Sequence, residues 1–317
     1  MDVVTLGETM AVLMPESAGF MRYATNFTAR VGGAESNVAI GLARLGHQSA
    51  WISRLGDDEF GKKILSFIRG EGVNVDEVKC DPLATTGLYF KEMVTEDETR
   101  VQYYREGSAA SKMIPSDLNE DYIVKARYLH LTGITPALSE SCRETVMRAI
   151  DIAKKRGVTV VFDPNLRRKL WPEDQARQVL LEIAAQADIV LPGMDEGEFL
   201  FGKNDPESMA KQFYDHGASQ VVLKLGEDGA YYYSKAGGGF VSAFPVKRVV
   251  DPVGAGDGFA AGFLSGLLDD LSLEKAVERA AAVGALVTMV PGDVEGLPNK
   301  DRVESFVHGK DSGDVNR

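Results

Sequence analysis

The sequence predicts an α/β protein whose mostly parallel central sheet is covered by helices on both faces. Short, nearly continuous apolar runs such as "VTVVFDPN" (158–165) alternate along the chain with amphipathic segments such as "SCRETVMRAIDIAKKRG" (141–157). Apolar strands separated by helices are typical of parallel sheets that are buried on both sides. The chain has 317 residues, of which 44% are hydrophobic, so it can bury one large layered core.

The strand and helix patterns follow one another along most of the chain. Predicted strands lie at 2–8, 49–56, 127–133, 158–165, 188–193 and 220–226. Predicted helices lie at 35–46, 59–72, 141–157, 172–186, 206–217 and 255–268. Ligands of such sheets bind beyond the carboxyl ends of the strands, so we expect a site where these strands end.

Two segments, 11–31 and 84–106, show alternation without a helix between their strands. We interpret them as antiparallel strands of a small β lid, with "EDE" (96–98) as a polar hairpin turn. A small exposed sheet leaves edges that need protection, which predicts a homodimer or a higher homo-oligomer through the lid. The domain is expected to span 1–308, and 309–317 is interpreted as a disordered tail.

The composition argues against several classes of function. The formal net charge is −12 and no basic patch stands out, so a nucleic-acid partner is not expected. The two cysteines, Cys80 and Cys142, lie far apart without a zinc-binding spacing, and so few cysteines fit a cytoplasmic protein. The first residues do not resemble a signal peptide, and the longest charge-free apolar run, 280–292, is too short to span a membrane.

Two glycine-containing stretches resemble nucleotide-binding patterns but do not satisfy them. "GDDEFGKK" (56–63) nearly fits a P-loop, but Lys63 stands where a magnesium-binding hydroxyl is needed and three acids would repel the phosphates. "GAGDGF" (254–259) resembles a dinucleotide fingerprint, but Phe259 replaces its last glycine and many βα units precede it. A P-loop enzyme and a Rossmann dehydrogenase are therefore disfavoured.

The stretch "DPVGAGDGFAAGF" (251–263) has two interpretations from its residues alone. In the first, Gly254 and Gly256 let backbone N–H groups converge on an anion at a helix N-terminus, and an ionised Asp257 accepts a proton beside it. In the second, glycines at every fourth position only allow close helix packing, and Asp257 only suits the helix dipole. These residues by themselves favour neither interpretation.

A second stretch, "VGGAESNVAIGLARLG" (31–46), lies about 220 residues before the first. The pair resembles the two signatures of the PfkB/ribokinase family of carbohydrate kinases, and the strand–helix order resembles that family up to about residue 308. The resemblance implies a three-layer ribokinase-like fold, ATP, Mg²⁺ and transfer of the γ-phosphoryl group to a sugar hydroxyl. It implies that Asp257 is the general base, with an anion hole formed by Gly254, Ala255 and Gly256.

Further residues match binding positions of the family. The resemblance implies a sugar-binding end at Gly32, Gly33 and Asn37, although Asn37 would equally suit a helix start. It implies that the nucleotide contacts Lys224, Gly226, Gly229, Gly254 and Gly256. The loop at 290–298 resembles the adenine side of the family's nucleotide site.

The metal positions match the family only in part. The family often carries Asn-x-x-Glu after a strand, where it holds Mg²⁺ through water. Here Gly193 replaces the asparagine while Glu196 keeps its place, which leaves the magnesium role of Glu196 open. A monovalent-cation site beside the anion-hole loop is also implied, with K⁺ held by Asp251 and backbone carbonyls near Val253.

Two arginines and two tyrosines suggest the class of sugar. Tyr103 and Arg105 are two apart on a predicted lid strand and hence share a face, Tyr89 belongs to the other lid strand, and Arg167 follows a buried strand. Arginine binds a carboxylate bidentately, so these residues favour a carboxylate-bearing sugar over a neutral hexose. The alternatives are that Arg105 only pairs with surface acids and that the tyrosines only pack.

Two of these stretches narrow the resemblance. "YYREGSAAS" (103–111) and "DPNLRRKLW" (163–171) closely resemble the 2-keto-3-deoxygluconate kinases within the family. This implies phosphorylation of the 6-hydroxyl, with Arg105 and Arg167 or their neighbours at the acid end. The alternatives are a fructokinase-like or 5-dehydro-2-deoxygluconokinase-like enzyme, and a sensing protein that kept the fold without turnover.

Overall fold

The computed structural model describes residues 1–95, 98–202 and 205–309, which form two β-sheets and the helices that cover the larger sheet. The strands are β1 (Val3–Leu6), β2 (Met10–Pro15), β3 (Phe27–Gly32), β4 (Ser49–Gly56), β5 (Val78–Asp81), β6 (Leu88–Met93), β7 (Thr99–Tyr104), β8 (Tyr128–Thr132), β9 (Thr159–Asp163), β10 (Ile189–Val190), β11 (Gln220–Lys224), β12 (Ala230–Ser234) and β13 (Gly237–Val241). The helices are α1 (Ala34–Arg44), α2 (Glu59–Gly70), α3 (Glu120–Ile123), α4 (Ile134–Leu138), α5 (Glu140–Arg156), α6 (Glu173–Ala184), α7 (Met194–Phe201), α8 (Pro206–His216), α9 (Ala255–Leu268), α10 (Leu273–Val287) and α11 (Lys300–Val307).

The larger sheet is mostly parallel, as predicted. Over the described part of the chain it has nine strands in the order β13-β12-β11-β10-β9-β8-β1-β4-β5. The strands from β11 to β5 in this order are parallel, whereas β12 and β13 add an antiparallel edge. Strands β1, β8 and β9 at its centre are almost wholly buried, which explains why their sequences are mostly apolar.

Helices cover both faces of this sheet. One apolar cluster joins Val4 of β1 to Val146 of α5, and another joins Val3 of β1 to Leu42 of α1 and Phe263 of α9. Successive residues of a strand point to opposite faces of a sheet, so these clusters lie on opposite sides. The fold therefore has three layers.

The parallel register brings the carboxyl ends of the strands to one rim. Leu6 pairs with Ile52 on one side and Leu131 on the other, and Thr132 pairs with Asp163. The turns that follow these strands begin at the same level of the sheet. This is the rim at which the sequence predicts a ligand site.

The smaller sheet is the predicted lid. Its order is β3-β2-β6-β7, with two antiparallel pairs, β2–β3 and β6–β7, joined by the parallel pair β2–β6. Met10, Val12 and Tyr89 form a small apolar cluster on its inner face. The predicted hairpin turn falls partly outside the described residues, because Glu96 and Asp97 are not among them.

Glycines on α9 give it close contact with α10, as the packing interpretation expects. A Cβ at Gly258 would lie 2.7 Å from Val287 Cγ2, and one at Gly266 would lie 2.6 Å from Ala276 Cα. Both distances are shorter than side chains tolerate, so these positions need glycine for packing. Packing against α10 therefore accounts for Gly258 and Gly266 within α9, but not for Gly254 and Gly256 at its N-terminus.

The stretch that nearly fits a P-loop is the start of an ordinary helix. Asp58 is the N-cap of α2, where its side chain accepts hydrogen bonds from the N–H groups of Gly61 at 2.8 Å and Thr86 at 2.7 Å. An aspartate in this position satisfies the free N–H groups of a helix start. Asp58 therefore has a structural role that involves no phosphate.

Residues 310–317 of the predicted disordered tail lie outside the described residues. Among the helices of the described ranges, none combines the length and the apolar character that crossing a membrane requires.

Candidate active site

A cavity of about 450 Å³ opens between the carboxyl-end rim, the N-terminus of α9 and the inner face of the lid. Most of the residues proposed from the sequence line it together, namely Gly32, Gly33, Asn37, Tyr89, Tyr103, Arg105, Arg167, Glu196, Lys224, Gly254, Gly256 and Asp257. Residues not assigned from the sequence also line it, among them Glu8, Lys91, Asp163, Asn165 and Asp293. The fold therefore gathers residues from distant parts of the chain into one site.

Helix α9 begins at the wall of this cavity. Gly254 caps the helix with φ +80°, a left-handed conformation that favours glycine, and a Cβ there would lie 2.5 Å from the carbonyl oxygen of Asp293. The first N–H groups of a helix have no acceptor within it and carry the positive end of its dipole. This helix start can bind an anion in the cavity.

Asp257 lies in the first turn of α9 and accepts a hydrogen bond at its Oδ2 from Asn37 Nδ2, at 2.7 Å. Burial raises the pKa of Asp257 to about 7, while the Asn37 hydrogen bond and the charge of Arg167 act in the opposite direction. The helix dipole alone favours an ionised carboxylate, and burial acts against it, so that both the ionised and the protonated form are populated near neutral pH. A carboxyl group with this pKa can both accept and release a proton at physiological pH.

Asn37 is buried, and its amide is committed to Asp257. Its Oδ1 accepts the Gly33 N–H at 3.5 Å, a long contact at the start of α1. Asn37 therefore orients the carboxylate, and a contact with a sugar hydroxyl stays a prediction.

Lys224 ends strand β11 and points across the carboxyl-end rim. Its Nζ donates to Asp163 Oδ2 at 2.6 Å, and a Cβ at Gly256 would lie 3.8 Å from the same Nζ. Burial by itself lowers the pKa of Lys224, but the charges of Asp163 and Glu196 outweigh it, and the net direction is upward. A permanent positive charge therefore lies beside the start of α9.

Glu196 lies at the start of α7, where its two oxygens accept the N–H groups of Gly193 at 2.7 Å and Leu166 at 2.8 Å. Burial raises its pKa. Among the described residues, no group of three or more His, Cys, Asp or Glu side chains could hold a metal ion. Mg²⁺ is commonly bound by one or two carboxylates together with water and substrate phosphates, and Glu196 lines the cavity as a carboxylate that could take such a part.

Arg105 and Arg167 both line the cavity, but their surroundings differ. An Nη of Arg105 forms an ion pair with Oε2 of Glu8, whose side chain is 0% exposed, and Ser108 donates to the other carboxylate oxygen at 2.5 Å. Arg167 is exposed and takes part in none of the ion pairs found among the described residues. Arg105 therefore pairs with an acid that is buried in the cavity wall, and not with the surface acids of the alternative, while its contact with a sugar stays a prediction.

Tyr89 reaches across the cavity from the lid. Its hydroxyl donates to Asp293 Oδ2 at 2.7 Å, and burial together with the Asp293 charge raises its pKa. A Cβ at Gly32 would collide with this hydrogen-bonded pair, which gives that glycine a packing role. Tyr103 lies beside Tyr89, with ring centroids 5.4 Å apart, and 44% of it is exposed. Tyr103 is therefore the more accessible of the two tyrosines.

Lys91 is the clearest residue that the sequence reasoning missed. It follows Tyr89 by two positions on β6 and shares its inward face, and its Nζ donates to Asp251 Oδ2 at 2.5 Å. Residues two apart on a strand share a face, so the position of Lys91 two residues after Tyr89 was the signal that could have placed it in the cavity. Asp251, expected to hold K⁺, is thus paired with a lysine.

Three predicted glycines have structural explanations of their own. Gly226 and Gly229, with φ +61° and +105°, form the tight turn between β11 and β12 rather than the cavity wall. A Cβ at Gly33 would lie 2.5 Å from the carbonyl oxygen of Glu8. Their contacts with a nucleotide or a sugar stay predictions.

Comparison with known proteins places this geometry in one family. Residues 1–300 match the pfkB family carbohydrate kinase. The chain is 43% identical over 310 residues to a 2-dehydro-3-deoxygluconokinase of Bacillus subtilis (strain 168), with 97% of this chain and 95% of the relative covered. 2-Dehydro-3-deoxygluconate is another name for 2-keto-3-deoxygluconate.

Solved structures agree with the match. A putative ribokinase II of E. coli, in complex with ATP and Mg²⁺, superposes with a TM-score of 0.90 at 26% identity and covers 97% of this chain and 99% of its own. A fructokinase double mutant of Vibrio cholerae O395, in its fructose-, ADP- and potassium-bound form, gives 0.84 at 28% identity over 97% and 98%. The chain therefore belongs to the pfkB family of carbohydrate kinases.

Proposed function

We propose that this kinase transfers the γ-phosphoryl group of ATP to the 6-hydroxyl of 2-keto-3-deoxygluconate. The observation that carries the proposal is a single cavity that has Asp257 at a helix N-terminus and Arg167 exposed in its wall. Asp257 can activate a hydroxyl beside a bound phosphate, and Arg167 can bind a carboxylate. The relative in Bacillus subtilis bears the name of this activity.

Asp257 is the general base of the proposed reaction. Its carboxylate accepts the proton of the 6-hydroxyl as the oxygen attacks the γ-phosphorus, the bond to the β–γ bridging oxygen breaks, and ADP leaves. Asn37 keeps one carboxylate oxygen in place through its 2.7 Å hydrogen bond, which leaves the other for the hydroxyl. Catalysis then consists mostly of positioning and of stabilising negative charge.

The start of α9 and Lys224 would stabilise that charge. The Ala255 N–H donates to the Pro252 carbonyl at 3.3 Å. Gly254, Gly256 and Asp257, which line the cavity, would therefore supply the N–H groups for the γ-phosphoryl group. Lys224 Nζ lies beside Gly256. ATP would extend from there along the end of β11 towards Gly226 and Gly229. Mg²⁺, held by the phosphates and by water near Glu196, would supply further neutralisation of the phosphate charge.

The acid end of the sugar would lie towards Arg167, Arg105 and Tyr103. Arg167 is the stronger candidate, because no acid among the described residues is paired with it, whereas Glu8 neutralises Arg105. Arg105 is held rigid by Glu8 and can still donate hydrogen bonds from its remaining N–H groups. A bidentate contact of one guanidinium with the carboxylate would fix the opposite end of the sugar relative to Asp257.

A panel of phosphoryl acceptors tests the proposal. ADP release is measured with 2-keto-3-deoxygluconate, 5-dehydro-2-deoxygluconate, fructose and ribose at equal concentrations. The proposal predicts the highest kcat/KM with 2-keto-3-deoxygluconate and a phosphate at its 6-position by NMR. No ADP release with any sugar, despite ATP binding, would instead support a sensing protein.

One observation favours a second candidate, a kinase of neutral hexoses such as fructose. Glu8 cancels the charge of Arg105 inside the cavity, and Lys91 and Lys224 are paired with aspartates. Arg167 is therefore the cavity cation among the described residues that is left to balance a substrate carboxylate. A neutral sugar needs no such balance. A kcat/KM for fructose above that for the sugar acid would establish this candidate.

We also propose that two copies of the chain associate through the outer face of the lid. Phe27 and Tyr104 on that face flank Phe90 with ring centroids 5.8 and 5.7 Å away, and they are 38% and 54% exposed. An exposed aromatic patch of this kind is typical of an interface. Light scattering should give twice 34.4 kDa for the wild type and 34.4 kDa for Tyr104→Glu.

A further inference from the structure

Lys91 of the lid is buried beside the loop that precedes α9. Lys91 Nζ lies 2.5 Å from Asp251 Oδ2 and 4.0 Å from Asp293 Oδ1. The side chains of Lys91 and Asp251 are 3% and 11% exposed. An ammonium group from the small sheet is therefore enclosed by two carboxylates that belong to loops beside the larger one.

The Asp251 carboxylate already accepts three hydrogen bonds. Its Oδ1 accepts the Val253 N–H at 3.1 Å, and its Oδ2 accepts both Lys91 Nζ and the Gly292 N–H, the latter at 3.1 Å. A K⁺ ion in contact with the same carboxylate would lie within a few ångströms of the ammonium group, and like charges so close repel strongly when buried. The residues present do not fit the K⁺ site expected at Asp251.

We propose that the Lys91 ammonium takes the place of a monovalent cation at this loop, so that the kinase turns over without K⁺. The inference rests on the proposed kinase function. Lys91 is a positioning residue, because it acts through Asp251, whose hydrogen bonds to Val253 and Gly292 shape the approach to Gly254.

The same contact links the lid to the proposed anion hole. Lys91 shares the inner face of β6 with Tyr89, which bonds to Asp293 in the neighbouring loop. A sugar that holds the lid against the cavity therefore also holds the charge that shapes the α9 loop. A free ion could order the loop whatever the position of the lid, whereas a lysine on the lid cannot.

Lys91→Met tests the inference, since it removes the charge and keeps an unbranched side chain of similar length. We would measure kcat and the KM for ATP and sugar in KCl and in N-methylglucamine chloride of equal ionic strength. The kcat of the wild type should differ by less than about twofold between the two salts. The kcat of Lys91→Met should be roughly a hundredfold below that of the wild type without K⁺, and KCl should restore at least about tenfold of this loss. A merely structural role would lower activity equally in both salts.

Lys62→Met is the matched control, because Lys62 is an exposed lysine of α2 that pairs with Glu59 at 3.1 Å. It should behave like the wild type in both salts. A wild type that K⁺ activates more than about tenfold, or a Lys91→Met enzyme that equals the wild type without K⁺, would overturn the inference.

Thermal unfolding gives a readout that needs no turnover. In the presence of ADP, KCl should raise the Tm of Lys91→Met above its value in N-methylglucamine chloride and should leave that of the wild type unchanged. If Lys91→Met does not fold, the Tm of the wild type measured against increasing KCl concentration is the deciding experiment. A saturable, K⁺-specific rise in that Tm would contradict the inference. These outcomes hold even if no sugar is phosphorylated, so failure of the proposed function is told apart from failure of this inference.

Discussion

The two ends of the cavity are built in different ways. At the proposed phosphoryl-transfer end, Asp257 and its partner Asn37 lie on helices α9 and α1 of the main body and are joined by a direct hydrogen bond. At the end proposed to bind the acid group of the sugar, Arg167 and Tyr103 are exposed, and Tyr103 belongs to the lid. The difference indicates that the groups proposed to react are preorganised, whereas those proposed to select the sugar stay accessible until it binds.

Removing the base should have the largest effect at the preorganised end. Asp257→Asn keeps the shape of the side chain but cannot accept a proton, so kcat should fall by about a hundredfold to ten-thousandfold. The KM for ATP should change little, since Lys224 and the helix start remain. ADP release under saturating substrates measures this, and a kcat near that of the wild type would refute the base assignment.

The same variant carries its own control for folding. The pKa of Asp257 is raised to about 7, so ionising it in the folded protein opposes folding, increasingly so as the pH rises from about 4 to 7. Asp257→Asn removes that penalty. Its Tm should equal the wild-type value at pH 4 and exceed it at pH 8, so that lost activity cannot be blamed on lost structure.

Removing the exposed arginine should have the next largest effect, and only on acidic sugars. Arg167→Ala deletes a charge-assisted contact with the carboxylate, so kcat/KM for 2-keto-3-deoxygluconate should fall by about tenfold to a hundredfold. The value for fructose should fall far less. Equal losses would mean that the Arg167 charge, which also acts on the pKa of Asp257, serves the reacting end instead.

Arg168→Ala is the matched control for this prediction. Arg168 is the next residue along the chain, is exposed, and pairs with Glu173 at 2.7 Å outside the cavity wall. It should change neither substrate's kcat/KM beyond about twofold, as is usual for an exposed ion pair.

The sequence predicted where in the fold this site lies better than it predicted which side chains pair within it. Apolar periodicity locates the strands, and parallel strands share a rim, so a site at their carboxyl ends followed from the fold, whereas the resemblance to the family implied the roles of Asp257 and Lys224. The pairing of Lys91 with Asp251, and of Arg105 with Glu8, joins residues that are 160 and 97 positions apart. Such partners depend on how the lid packs on the main body, and local patterns carry no information about that.

The pKa of Asp257 was missed for the same reason. Its position in the first turn of α9 is visible in the sequence, and the helix dipole there stabilises an anion by at most about 2 kcal/mol. The burial that outweighs the dipole comes from the surrounding cavity. Local position thus predicted a carboxyl group at the helix start and carried no information about the burial that raises its pKa.

A third substitution separates the base from the residue that holds it. The hydrogen bond from Asn37 lowers the pKa of Asp257, so Asn37→Ala should raise that pKa and move the acidic limb of kcat/KM to higher pH. Activity at pH 7 should fall by about tenfold and recover in part at pH 9. Because ATP titrates identically with both enzymes, the difference between their profiles isolates Asp257. Parallel profiles would show that Asn37 contacts the sugar rather than the base.

The smallest expected effect concerns Gly193, where the family often has asparagine. Its backbone is extended (φ −90°, ψ 169°), and a Cβ there would meet only the Glu196 carboxylate, at an ordinary 3.5 Å, so a larger residue fits without strain. An added amide could hold one more water of a magnesium ion, a contact worth about 1 kcal/mol at most. Gly193→Asn should therefore lower the Mg²⁺ concentration for half-maximal activity by about two- to fivefold and leave kcat unchanged, whereas Gly193→Ala, which adds only a methyl group, should not. An unchanged Mg²⁺ requirement in both variants would mean that the nucleotide and Glu196 position the ion without help from residue 193. The glycine at this position would then cost the proposed phosphoryl-transfer end no metal contact.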